Sequence, residues 1–132
     1  MQNFIEINIS KEVPKRGTKG PMACFFIVNK RQGDDFIDET AKNFVDERTW
    51  YHFYGPEERR WHMAFDLAFI DRYPDYTEEN LSITCGYDEV EDFVYMMREG
   101  IDLSEEKEQT VYLLYDNEEV LKEVKALLDA EG

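Results

Sequence analysis

Phe4-Ile5-Glu6-Ile7-Asn8-Ile9 alternates apolar and polar positions, the period of a half-buried strand, whereas Met22 to Val28 is an unbroken apolar run suited to a more buried one. Between them, Lys11 to Pro21 holds two prolines and two glycines and predicts a loop that joins the strands as a hairpin. After Gly33 the apolar residues Phe36, Ile37, Ala41, Phe44 and Val45 recur at helical spacing, leaving Asp34, Asp35, Asp38, Glu39 and Asp46 on the outer face. Thr49-Trp50-Tyr51-His52-Phe53-Tyr54 is almost wholly aromatic or β-branched and reads as a central strand. Gly55-Pro56-Glu57-Glu58 then signals the start of a helix running to about Tyr73, ahead of Pro74. Its apolar residues, Trp61, Met63, Ala64, Phe65, Leu67, Ala68, Phe69 and Ile70, cover more than one stripe. The pattern predicts burial on most of the circumference, with Arg59, His62 and Asp66 as a narrow polar line.

From Leu81 the pattern runs strand, helix, strand, helix: Leu81 to Gly86, Asp88 to Glu99, Thr110 to Tyr115 and Glu118 to Asp129. Asp116 followed by Glu119 predicts a capping box for the last helix. The order ββαβαβαβα predicts one α+β or α/β domain over residues 1–132, a mixed sheet of about five strands packed by about four helices.

Length and composition agree with that picture. A chain of 132 residues is of the size that folds around one core, and its 14% aromatic content is too high for a disordered acidic segment. Met1 to Ser10 carries neither a basic cluster nor a long apolar stretch, and seven apolar residues cannot span a bilayer, so a cytoplasmic protein is expected. Cys24 and Cys85 lie in strand-like segments without metal-ligand spacing and are expected to be free thiols.

Charge changes the picture most. The net charge is -15, yet Lys11 to Arg31 holds six basic residues and one acid, so that segment carries +5 and the remainder -20. Such a field repels nucleic acid and anionic membrane and attracts basic protein surfaces. Asp34 to Glu39, Glu78-Glu79, Asp88 to Asp92 and Glu105 to Glu108 contain few or no bases to balance them.

Candidate catalytic chemistry is sparse. His62 stands four residues before Asp66 and four after Glu58 on the second helix, a spacing that suits a carboxylate-oriented general base and equally a surface ion pair. No nucleophile motif accompanies it. His52 falls among aromatics, where a core or cleft position is expected. The spacings offer no zinc site, no calcium loop, no phosphate-binding glycine motif and no cofactor. Trp50, His52 and Tyr54 would share one face of their strand, but base stacking needs a positive groove that this charge does not supply.

The reading these observations favour is a non-enzymatic binding protein whose carboxylates stand in for nucleic-acid phosphates against a basic partner of the kind a nucleic-acid enzyme presents. Asp34, Asp35, Asp38, Glu39, Asp88, Glu91 and Asp92 are the expected contact residues. In size and charge the chain resembles the small acidic inhibitors that phages and mobile elements aim at restriction or CRISPR enzymes, and the immunity proteins that neutralise nuclease toxins. Two alternatives differ in class. One is a small enzyme with a cleft near His62, Asp66 and the aromatic strand; the other is a self-associating regulatory module in which the basic loop meets an acidic face of a second copy.

Overall fold

The unbroken apolar run becomes strand β2 (Met22–Ile27), the middle of a five-stranded sheet in the order β1-β5-β2-β3-β4. The computed structural model describes residues 4–10, 22–100 and 110–130; the basic loop and the Glu105 to Glu108 run lie outside them. The other strands are β1 (Phe4–Asn8), β3 (Thr49–Tyr54), β4 (Ile83–Tyr87) and β5 (Thr110–Tyr115). Every pairing is parallel, so the α/β class holds and the sheet is not mixed in direction. The expected β1–β2 hairpin does not form: β1 runs parallel to β2 and is separated from it by β5. An apolar run reads the same whichever way its neighbours point, which is why the pattern left strand direction open.

Helices α1 (Asp34–Phe44) and α2 (Glu58–Arg72) cover one face, and α3 (Val90–Tyr95) and α4 (Glu118–Ala130) the other. From β2 the chain steps to β3 and then β4, and afterwards returns past β3 and β2 to β5. Crossovers of one hand that step in opposite directions put their helices on opposite faces, which accounts for the change of side after β4. The expected single helix from Asp88 to Glu99 is α3 followed by a widened π-helical turn, Met96–Gly100.

Both faces of β2 are core. Cys24, Phe26 and Val28 pack with Ile37, Ala41, Phe44, Trp61 and Phe65, while Ala23, Phe25 and Ile27 pack with Phe93, Val94, Leu121 and Val124. Cys24 is a buried free thiol and Cys85 a half-buried one. Phe26 meets the rings of Phe53, Phe65, Trp61 and Phe44 at centroid distances of 4.9, 5.2, 5.7 and 6.1 Å, mostly at the tilted or edge-on angles that aromatic pairs prefer.

A polar knot closes the edge of the sheet where the strands begin. Tyr51 Oη accepts from the Asp46 amide (2.9 Å) and donates to the Phe44 carbonyl (3.0 Å), Tyr73 Oη donates to Asp46 Oδ1 (3.0 Å), and Arg72 donates to the Val45 carbonyl (2.6 Å). Asp46 therefore belongs to this knot and not to the outer face of α1. In α4, Lys125 reaches Glu6 Oε2 of β1 at 2.9 Å, tying the edge strand to the helix layer.

The outer face of α2 is the largest departure. Trp61, Ala64, Phe65 and Phe69 are buried as expected, but Met63, Leu67 and Ile70 are 59%, 62% and 51% exposed.

Phe26 carries the most testable packing. Phe26→Ala is expected to lower unfolding free energy by about 3–5 kcal/mol, a large share of the roughly 5–15 kcal/mol of a typical domain. Urea denaturation of the two proteins measures it.

Candidate functional site

In a parallel sheet whose strands each lead into a helix, the strand C-termini and helix N-termini share one edge, and ligands of such sheets bind where the strand order reverses. Here the reversal falls between β2 and β5. The residues that follow these strands, Asn29 and Lys30 after β2 and Asp116 after β5, are drawn together there. The Asp116 carboxylate accepts from the Asn29 amide (2.8 Å) and the Lys30 amide (2.9 Å), and the Asp116 amide donates to the Ile27 carbonyl (3.2 Å).

Asp116 is 2% exposed, and burial raises its pKa against the opposing pull of those two amides and of Lys30. Its expected capping role falls to its neighbour: Asn117 Oδ1 accepts from the Glu119 and Val120 amides at 3.0 and 3.1 Å, while Asp116 turns inward. The crevice where a parallel sheet would hold a ligand anion is thus filled by the chain's own carboxylate. Asn29 Oδ1 is turned toward Gly55, buried and without a hydrogen-bond partner among the described residues.

The loop after β3 is pressed against the same place. Gly55 has φ +131°, and a Cβ on it would collide with the Val28 carbonyl, so only glycine fits. The loop delivers Glu57, Glu58 and Arg60. Arg60 donates to Glu57 Oε1 (2.7 Å), to the Gln32 carbonyl (2.9 Å) and to the Asp34 carboxylate, bracing the start of α1 against the start of α2. The Glu58 carboxylate rests on Gly86 at the end of β4, where a Cβ would overlap it.

The seven expected contact acids are all exposed, and all belong to this edge. Asp34 and Asp35 open α1, with Asp38 and Glu39 one turn further; Asp88 precedes α3, and Glu91 and Asp92 lie in its first turn. The pattern placed them on outward faces. It did not show that α1 and α3, on opposite faces of the sheet, begin on one rim with Glu57 and Glu58 between them. Asp34 is also engaged within the chain, since the hydrogen bond from Arg60 and the Arg60 charge hold its carboxyl below its ordinary value.

The histidines sit elsewhere. His62 Nε2 is 3.4 Å from Asp66 Oδ2, half-exposed on the flank of α2, and Asp66 also accepts from Thr84 Oγ1 at 2.6 Å. A cavity of about 230 Å³ beside them is lined by Tyr51, Phe65, Asp66, Phe69, Ile70, Tyr76, Leu81, Ser82 and Thr84 and does not include His62. His52 is buried on the other face, stacked on Phe25 at 4.4 Å with Nδ1 2.8 Å from Tyr87 Oη, and burial lowers its pKa to about 4. The strand register sets Cys85 beside His52, across the sheet from His62. Among the described residues no three His, Cys, Asp or Glu side chains converge as a metal site. No helix there is long and apolar enough to cross a membrane.

Comparison with protein-family models, curated proteins and solved structures found no match to this chain.

Two measurements check this geometry. Asp116→Ala leaves the Asn29 and Lys30 amides without their acceptor and is expected to cost about 2–4 kcal/mol in urea unfolding, with faster hydrogen exchange at both amides. For His52, the unfolded residue takes up a proton near its ordinary value of 6.5 while the folded one resists until about 4, so stability is lost as pH falls through that window. From about pH 7.5 to about pH 5 the wild-type chain should lose about 2 kcal/mol relative to His52→Gln. A constant difference between the two across that range would show that His52 is not held neutral.

Proposed function

We propose that this chain is a non-enzymatic binding protein that presents a carboxylate surface to a basic, nucleic-acid-binding protein. The observation that carries the reading is the gathering on one edge of the exposed acids Asp34, Asp35, Asp38 and Glu39 of α1 and Asp88, Glu91 and Asp92 at the start of α3, with Glu57 between them turned to Arg60 and Arg31. The positive end of a helix dipole favours an acid or two in its first turn. It does not account for Asp38 and Glu39 in the second turn, or for an anion crevice closed by Asp116 beneath them. A rim of this kind turns away phosphates and offers lysine and arginine side chains the spaced negative charges they meet along a nucleic-acid backbone. The enzyme alternative draws less support: the cavity beside Asp66 is smaller than the roughly 300–1,000 Å³ usual for ligand pockets and excludes His62.

The test is capture from host lysate, elution by a salt step and identification of the eluted proteins by mass spectrometry, with and without competing duplex DNA. The wild-type chain should retain a nucleic-acid-binding protein that salt releases and DNA displaces. Reversal of Asp35, Asp38, Glu91 and Asp92 to lysine, leaving the braced Asp34 in place, should abolish retention. Equal retention by the reversed variant would overturn the reading.

A further inference from the structure

Three exposed apolar features meet at the β4 edge of the sheet. Strand β4 is the last in the order, and no described strand pairs with its outer side. Its sequence, Ile83-Thr84-Cys85-Gly86-Tyr87, contains none of the lysines, prolines or inward charges that usually blunt an open edge. On the α1/α2 face, the groove between α2 and β4 exposes Ile70, Tyr76 and Leu81, continuous with the Met63 and Leu67 stripe. On the α3/α4 face, the register sets Trp50 beside Ile83, and the two are 47% and 36% exposed.

An apolar edge flanked by apolar patches on both faces is the shape that accepts an added strand, whose backbone pairs with the edge while alternate side chains cover the two patches. Charge selects the occupant. Asp66 lines the groove, and the exposed acids Asp71, Asp75, Glu78 and Glu79 lie in the end of α2 and the turn after it that supply its residues Ile70, Tyr76 and Leu81. Arg72, on the same helix, is turned to the Val45 carbonyl and the Tyr73 ring. A second copy, itself at -15, would bring like charge to this border.

We infer that β4 receives, as a sixth strand, an extended apolar segment of the partner protein flanked by lysine or arginine. This deepens the proposed function and rests on the partner being basic. The acidic rim would govern encounter and the β4 edge would supply the apolar contact, since charge mainly sets association rate while buried anchors hold the complex.

The probe is a short capped peptide of alternating valine and threonine with paired lysines at both ends, titrated into the full ¹⁵N-labelled chain. A serine-glycine peptide with the same lysines and a glutamate-flanked valine-threonine peptide serve as controls. The inference expects the first peptide to shift the amides of Ile83 to Tyr87 and slow their hydrogen exchange. The serine-glycine peptide should touch only the rim near Asp35 and Glu91. Ile70→Glu and Trp50→Glu, both at exposed positions, should each weaken the first peptide at least about tenfold without altering the rim shifts. Identical rim shifts from both lysine peptides, with β4 silent, would overturn the inference and leave the acidic-rim reading standing. Concentration-dependent shifts at β4 without peptide would assign the edge to a second copy and overturn it equally. Loss of the captured partner on rim reversal tests the acidic-rim reading separately.

Discussion

Two-sided burial of β2 is the constraint on which the other elements depend. With β5 and β3 bonded along its edges and helices over both faces, residues Ala23 to Val28 are at most 5% exposed, so each must be apolar and each must find packing. Phe26 gathers the aromatic rings beneath α1 and α2, and Phe25 gives His52 a flat surface on the other side. Because every pairing is parallel, all strand C-termini emerge on one edge, and the loops leaving that edge are forced into proximity. The Asp116 clamp on Asn29 and Lys30 and the packing of Gly55 on Val28 are consequences of that crowding.

Much of the element list was legible because burial imposes a period. The α1 acids and apolars fall on opposite faces, the aromatic strand is interior, and Trp50, His52 and Tyr54 share a face as their alternation requires. Strand direction and neighbour order were not legible. An apolar strand carries no sign of which way its partner runs, and β1 lies beyond β5 because of a pairing between segments more than a hundred residues apart. The α2 prediction failed in the opposite sense. Its pattern asked for cover on nearly every side, and the described residues leave Met63, Leu67 and Ile70 exposed.

The rim was half legible. Outward acids can be read from helical spacing, and all seven expected residues are exposed. Their gathering on one edge follows from parallel topology, which the pattern did not reveal. Asp116 was legible only as a helix-start residue, because an aspartate before a helix serves equally as a cap or as an acceptor for another loop. Which role it takes depends on the loop after β2, far away in sequence and adjacent only in the fold. Asp46 was misplaced for a related reason, its carboxylate drawn to Tyr73, 27 residues on, while its amide bonds the nearby Tyr51.

The two tryptophans divide the molecule optically. Trp61 is sealed in the aromatic core, with its indole N–H unpartnered among the described residues, whereas Trp50 stands nearly half in solvent on the flank of the β4 edge. Indole emission follows the polarity around the ring, so a spectrum of the folded chain superposes a core signal and a surface signal. A soluble quencher reaches only the second. Loss of the global fold and covering of the sheet edge would therefore register in different indoles of the same chain, with no label attached.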